Sequence, residues 1–347
     1  METGWPRSAR TDTLRLKGEI PGLHATVEVP AVLRNPIWLL SGQTAQGTAM
    51  TFSRDKARRA ACRELLSLSH DELRSVLAPS GRIVLDTPDP GQQALQALLF
   101  DCFFSPDREH PFDRSPGRSF TDLLTYFSSV IPCPDRLIIV TNTAARIARY
   151  LVPGIRTWTD GSLSHSGVPG LRLQTVGQRS LLLRHLPTGG RLELRDKDPE
   201  LDLTDLDRLM DDERSAIEQH RSPATRWRPV WREDRFTPGE ATAAHHWAPT
   251  SNTALHSALM ARAYLWWSAE WGHGTRTMSA HRAAARYGIC WKLGHSTDAM
   301  GRLLTQSPVA IPGAAYTPPP ADVWSERGLL SLGRGAVELD GPPAGTG

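Results

Sequence analysis

Thr141 and Asn142 stand between a short apolar run, Leu137-Ile-Ile-Val140, and a helical pattern that begins near Thr143. Polar residues at a strand-to-helix turn are where an α/β unit takes a phosphorylated or nucleotide-like substrate, because the first N–H groups of the helix have no partner within it. Asp160, in Trp158-Thr-Asp-Gly-Ser162, would supply a carboxylate for acid–base work on such a ligand. A second kind of chemistry is electrostatic. Arg54, Arg58 and Arg59 lie in one helical stretch, and Arg226, Trp227, Trp231 and Arg232 in another segment rich in arginine. Guanidinium forks grip phosphate and indole rings stack on bases. Each set also has a plainer explanation: a strand–turn–helix scaffold, an Asp-Gly turn, a solvated basic helix face, and tryptophans packed against their own domain.

Other chemistries lack their residues. The chain holds no GxxxxGK, GxGxxG, GxSxG or HExxH pattern, so the phosphate cradles, the serine-hydrolase elbow and the zinc-protease helix are without their first evidence. The four cysteines, Cys62, Cys102, Cys133 and Cys290, stand alone, which argues against a disulfide scaffold and a structural zinc. His245-His246 reads as a surface pair, and the carboxylates of Asp196 to Asp202 lack the glycine and closing glutamate of a calcium loop. No metal and no cofactor is expected.

The elements that would position these groups follow from periodicity. Residues 14–52 read as extended, with strands over 24–29, 37–40 and 47–52, and a helix follows from Arg54 to Leu68 with Ala57, Ala60, Ala61, Leu65 and Leu68 on its apolar face. Gln92 to Phe104 reads as a buried helix, Phe120 to Val130 as another, and 105–119 as a loop. Thr141 and Asn142 are natural caps for the helix that ends at Pro153, which carries Arg146 and Arg149 on its outer side. Strands are expected over 171–176, 180–186 and 191–194, and an amphipathic helix within the acidic run 196–213. Eight of the eleven tryptophans lie at or beyond Trp227, where helices are expected over 252–271, 279–287 and 297–304, with Ser296 as a cap. From Ser307 onward Pro, Gly and Ala dominate, and a disordered tail is expected.

The fold class is therefore α+β: a small N-terminal sheet-and-helix unit (1–104), a central α/β unit (120–220), a helical Trp-rich part (221–306) and the tail (307–347). The N-terminus has no apolar core of a leader and no run is long enough to span a bilayer, so a cytoplasmic protein is expected, with no membrane. Only four of the 40 basic residues are lysine, and the net charge is only +3, so a nucleic-acid surface would have to arise from local clustering.

Such a cluster is Ser53-Arg-Asp-Lys-Ala-Arg-Arg-Ala-Ala-Cys-Arg-Glu-Leu-Leu66. With the strands before it, residues 24–68 resemble the later part of a double-stranded RNA-binding domain. The resemblance implies phosphate contacts for Arg54 and Arg58 and packing roles for Ala57, Ala60 and Ala61. Ser279-Ala-His-Arg-Ala-Ala-Ala-Arg-Tyr-Gly-Ile289 is similar to the first helix and turn of a helix–turn–helix. The expected function is nucleic-acid binding, RNA foremost, without catalysis. The alternatives are an enzyme at the Thr141–Asn142 turn and a structural assembly subunit, with a protein partner or a homo-oligomer.

Overall fold

The computed structural model describes residues 49–66, 68–77, 83–104, 127–157, 163–197, 206, 226–245, 252–265, 276–280, 286–291, 295–319 and 327–341 of the 347. Residues 1–48 and 49–347 form separate units, and every described residue belongs to the second. The strands expected over 24–29 and 37–40, the loop 105–119, and residues 198–213 of the acidic run apart from Leu206 lie outside the described residues.

The class is α+β. Among the described residues, three helices come first: α1 (Ala49–Leu65), α2 (His70–Ser75) and α3 (Pro90–Phe104). Asp89 starts α3, its carboxylate accepting from the N–H groups of Gly91 at 3.2 Å and Gln92 at 3.1 Å, with Pro90 at the first helical position, where a missing N–H is harmless. The first sheet is built from β1 (Phe127–Pro132), β2 (Leu137–Thr141), β5 (Leu171–Val176), β6 (Ser180–His185) and β7 (Arg191–Asp196), in the order β1-β2-β7-β6-β5. Only the central β2–β7 pair is parallel. Between them in the chain come α4 (Ala144–Leu151), β3 (Gly154–Thr157) and β4 (Leu163–Ser166); β3 pairs with β4 on one side and β8 (Arg226–Pro229) on the other. The strands expected over 171–194 are all present.

β2 is buried along its whole length because both faces of the sheet are covered at that point. On one face Leu137, Ile139, Leu181, Leu183, Leu192 and Leu194 meet α3 and α4 in the main core. On the other, Ile138 and Val140 join Ile131 and the apolar sides of α1 and α2 in a second cluster.

After α5 (Pro238–His245) and α6 (Thr253–Met260), which lies along α3, the chain builds another five-stranded sheet. Its members are β9 (Arg276–Ala280), β10 (Arg286–Cys290), β11 (Ala315–Thr317), β12 (Gly328–Leu332) and β13 (Gly335–Asp340), ordered β11-β12-β13-β10-β9. It packs on α7 (Thr297–Gln306), whose first turn is capped by Ser296 as expected. Tyr316 is clamped where Gly301 and Gly328 leave room, since a Cβ at either would lie 2.5 or 2.4 Å from its ring; its hydroxyl donates to Asp298 at 2.7 Å.

Five expectations are corrected. Residues from Ala49 are helical, so no strand reaches Phe52. Phe127–Pro132 is a strand paired with β2 rather than the end of a helix. The helix over 252–271 ends at Met260, apart from a short 3₁₀ turn at Ala263–Leu265. Residues 279–280 and 286–287 belong to β9 and β10, paired as Arg286 with Ala280 and Tyr287 with Ser279, so the helix of the helix–turn–helix resemblance is absent there. The tail expected to be disordered supplies β11 to β13, with Leu330, Val337 and Leu339 in the main core.

Candidate functional site

The basic stretch after Ser53 is the middle of α1. Ala61, Cys62 and Leu66 are its buried side and Leu65 is half-buried; Lys56 and Arg58 are exposed, and Arg59 and Arg63 sit at the margin. Spacings of three and four residues put Lys56, Arg59 and Arg63 in one stripe, with Arg58 in the next. Arg63 reaches His70 of α2. Asp55 and Glu64, both exposed, are the acids of this stretch. The face expected to be apolar is narrower than its alanines suggest. Ala57 and Ala60 are exposed, and only Ala61 of the three takes the packing role that the resemblance implies.

The Thr141–Asn142 turn joins β2 to α4. Thr141 is wholly buried, and its hydroxyl accepts from Thr143 N at 3.0 Å; Asn142 is exposed. Neither is the cap, which is Thr143, and that side chain makes no capping bond. The capping acceptor comes from β7: the buried Asp196 carboxylate takes the N–H of Ala144 at 2.8 Å. A carboxylate therefore already holds the positive end of α4, where a phosphate would have to sit. Asp160 lies outside the described residues. On the same helix Arg149 is buried, not outward, and Arg146 is half-buried.

The Trp/Arg segment is divided. Arg226 and Trp227 lie on β8, opposite Thr157 and Arg156 of β3. Trp231 is packed into the main core, so its ring is not offered to a base, and the exposed Arg232 covers it with its guanidinium 5.1 Å from the ring centre.

The three thiols among the described residues, Cys62, Cys102 and Cys133, are buried. Burial pushes Cys62 up to about 11, against the pull of Arg262 and Arg58, raises Cys133 to about 11 as well, and holds Cys102 well above its usual value. Thiols held so far above neutrality are poor nucleophiles.

One polar cluster escapes a reading of the sequence. His256 of α6 is buried against the ring of Phe100, its Nδ1 2.7 Å from the carboxylate of Asp101 on α3, while the neighbouring Ser257 hydroxyl donates to Gln96 at 2.8 Å. Acid, histidine and hydroxyl are together, but the hydroxyl is committed to Gln96 rather than to the imidazole, and the cluster lies inside the α3–α6 contact. It joins two helices. Its sequence signal is weak, because the partners are about 150 positions apart in the chain.

No family model, curated protein or solved structure matches the chain.

Proposed function

We propose that the chain binds nucleic acid, RNA foremost, through the basic face of α1, and that it performs no catalysis itself. The observation that supports this reading is the narrow anchoring of α1. From Asp55 onward the buried residues are Ala61, Cys62 and the adjoining Leu66, which leaves Lys56 and Arg58 in solvent with Arg59 and Arg63 beside them. Between Arg54 and Glu64 five cations face two acids, a local excess that the chain's small net charge conceals. Such a stripe neutralises phosphates and releases their counter-ions, so its signature is salt-dependent affinity.

The reading rests on charge and exposure, because the packing of Ala57 and Ala60 departs from the double-stranded RNA-binding pattern. The enzymatic alternative is disfavoured by Asp196, which takes the seat of its ligand. Binding of labelled RNA across a salt series is the test. Arg54→Ala with Arg58→Ala should weaken binding on the order of tenfold and flatten the plot of log K against log salt by about one to two. Unchanged affinity and slope would exclude the α1 face.

A further inference from the structure

A row of arginines crosses the first sheet on the side that α1 and α2 cover only in part. Arg184 of β6 stands directly opposite Arg191 of β7, and on its other side directly opposite Arg172 of β5. Leu137 registers with Leu192, so Arg136, one step earlier, comes beside Arg191. Four arginines thus occupy neighbouring positions on four adjacent strands. Like charges opposite one another across a ladder are destabilising, so the row needs neutralising partners.

Two members have them within the fold. Arg172 is buried in a bidentate pair with Glu240, and Arg136 lies 3.0 Å from the Glu193 carboxylate, which also holds Arg195 at 2.7 Å. The middle of the row does not. Arg184 is exposed and has no ion pair among the described residues, and the exposed Arg191 reaches only Asp135, at 3.9 Å. The same face carries Ile138 and Val140, over which α1 and α2 pack. The row and the α1 helix are therefore on one side of one sheet.

We infer that the open half of this face, centred on Arg184 and Arg191 with Arg136 beside them, is a second binding surface, and that its occupant is the sugar-phosphate backbone of an RNA strand. Charge complementarity identifies the occupant: the unneutralised groups are guanidinium forks, which match phosphate bidentately. Strand spacing of about 4.8 Å sets the two open groups, Arg184 and Arg191, on the scale of neighbouring backbone charges, with Arg136, held by Glu193 and Asp135, at their margin. Among the described residues, the apolar member of this patch is the half-buried Leu182 alone, which offers neither a pocket for the side chains of a peptide nor a ring for a base to stack on. Contact is to the backbone and is independent of sequence. The inference shares its partner class with the proposed function but uses none of the α1 residues.

The test uses the full chain and a short fluorescein-labelled oligouridine, followed by anisotropy over a salt series. Arg184→Ala with Arg191→Ala should lower affinity on the order of tenfold and flatten the salt slope by about 1.4, since each phosphate of a single strand that goes unneutralised subtracts about 0.7. The double variant should melt no lower than the parent, since it relieves a like-charge pair. If it binds as the parent does while Arg54→Ala with Arg58→Ala binds more weakly, the sheet surface is overturned and the α1 reading stands. The opposite result keeps the sheet surface and removes α1. A parent chain that does not bind the probe overturns both, and displacement by polyglutamate as effective as by unlabelled RNA overturns the choice of phosphate.

Discussion

His185 closes the turn between β6 and β7 with an uncharged ring. Its Nε2 donates to the carbonyl of Pro169 at 3.0 Å, which leaves Nδ1 to accept from the Thr188 hydroxyl at 2.9 Å. Burial lowers its pKa from 6.5 to about 4; the Pro169 carbonyl opposes the shift and Arg172 adds to it. Because the folded pKa is the lower one, the unfolded chain takes up the proton first, and stability falls as pH drops from 6.5 toward 4. The full loss is on the order of 3 kcal/mol. Urea denaturation at a series of pH values should show this slope, and His185→Gln should flatten it. None of this is legible in the sequence, since a histidine in an apolar strand looks the same whether or not a carbonyl faces it. Asp196 misleads in the other direction. It opens the acidic run in which an amphipathic helix is expected, yet it ends β7 and is buried, its carboxylate accepting from the N-terminus of α4.

Between elements, the Arg172–Glu240 pair ties β5 to the start of α5. Glu240 accepts from both terminal nitrogens of Arg172 at 2.7 and 2.8 Å, and from the N–H groups of Gly170 and Thr237 at 2.9 Å; Arg172 also reaches the carbonyls of Glu233 and Arg235. Burial alone would raise the Glu240 carboxyl, but these donors outweigh it and hold it below its usual range. Glu240→Ala leaves a buried guanidinium without its counter-charge, and the expected loss is about 3–5 kcal/mol, read from a denaturant midpoint. Elements with a strong local pattern are legible: burial alternates along β6 and β7, α3 is mostly apolar from Leu95 on, and Ser296 marks α7. The stretch 279–287 is not, because Ala and Arg favour helix locally while β10 is fixed between β9 and β13 by pairing with distant residues. Of the candidate site, the exposed cations of α1 can be read from their spacing. The arginine row cannot, because register across strands is not written in any one of them.

For the molecule as a whole, the segment whose composition suggests a disordered tail is structural. Among the described residues no helix is long and apolar enough to cross a membrane, and the core instead recruits Leu330, Val337 and Leu339 from the last strands. Gly and Pro enrichment conceals this, since turns and short strands share that composition. Deleting residues 327–341 would uncover Ile289, Met300 and Leu304 and free an edge of β10. The shortened chain should aggregate, or bind a hydrophobic dye strongly, where the full chain does neither. β13 also lies between β12 and β10 rather than at the rim, and its pairing with β10 is parallel. During synthesis, β9 and β10 emerge well before the strand that must slot beside them. Until then the β10 edge is a sticky intermediate, and the time the ribosome takes over residues 291–340 sets how long that risk of misassembly lasts.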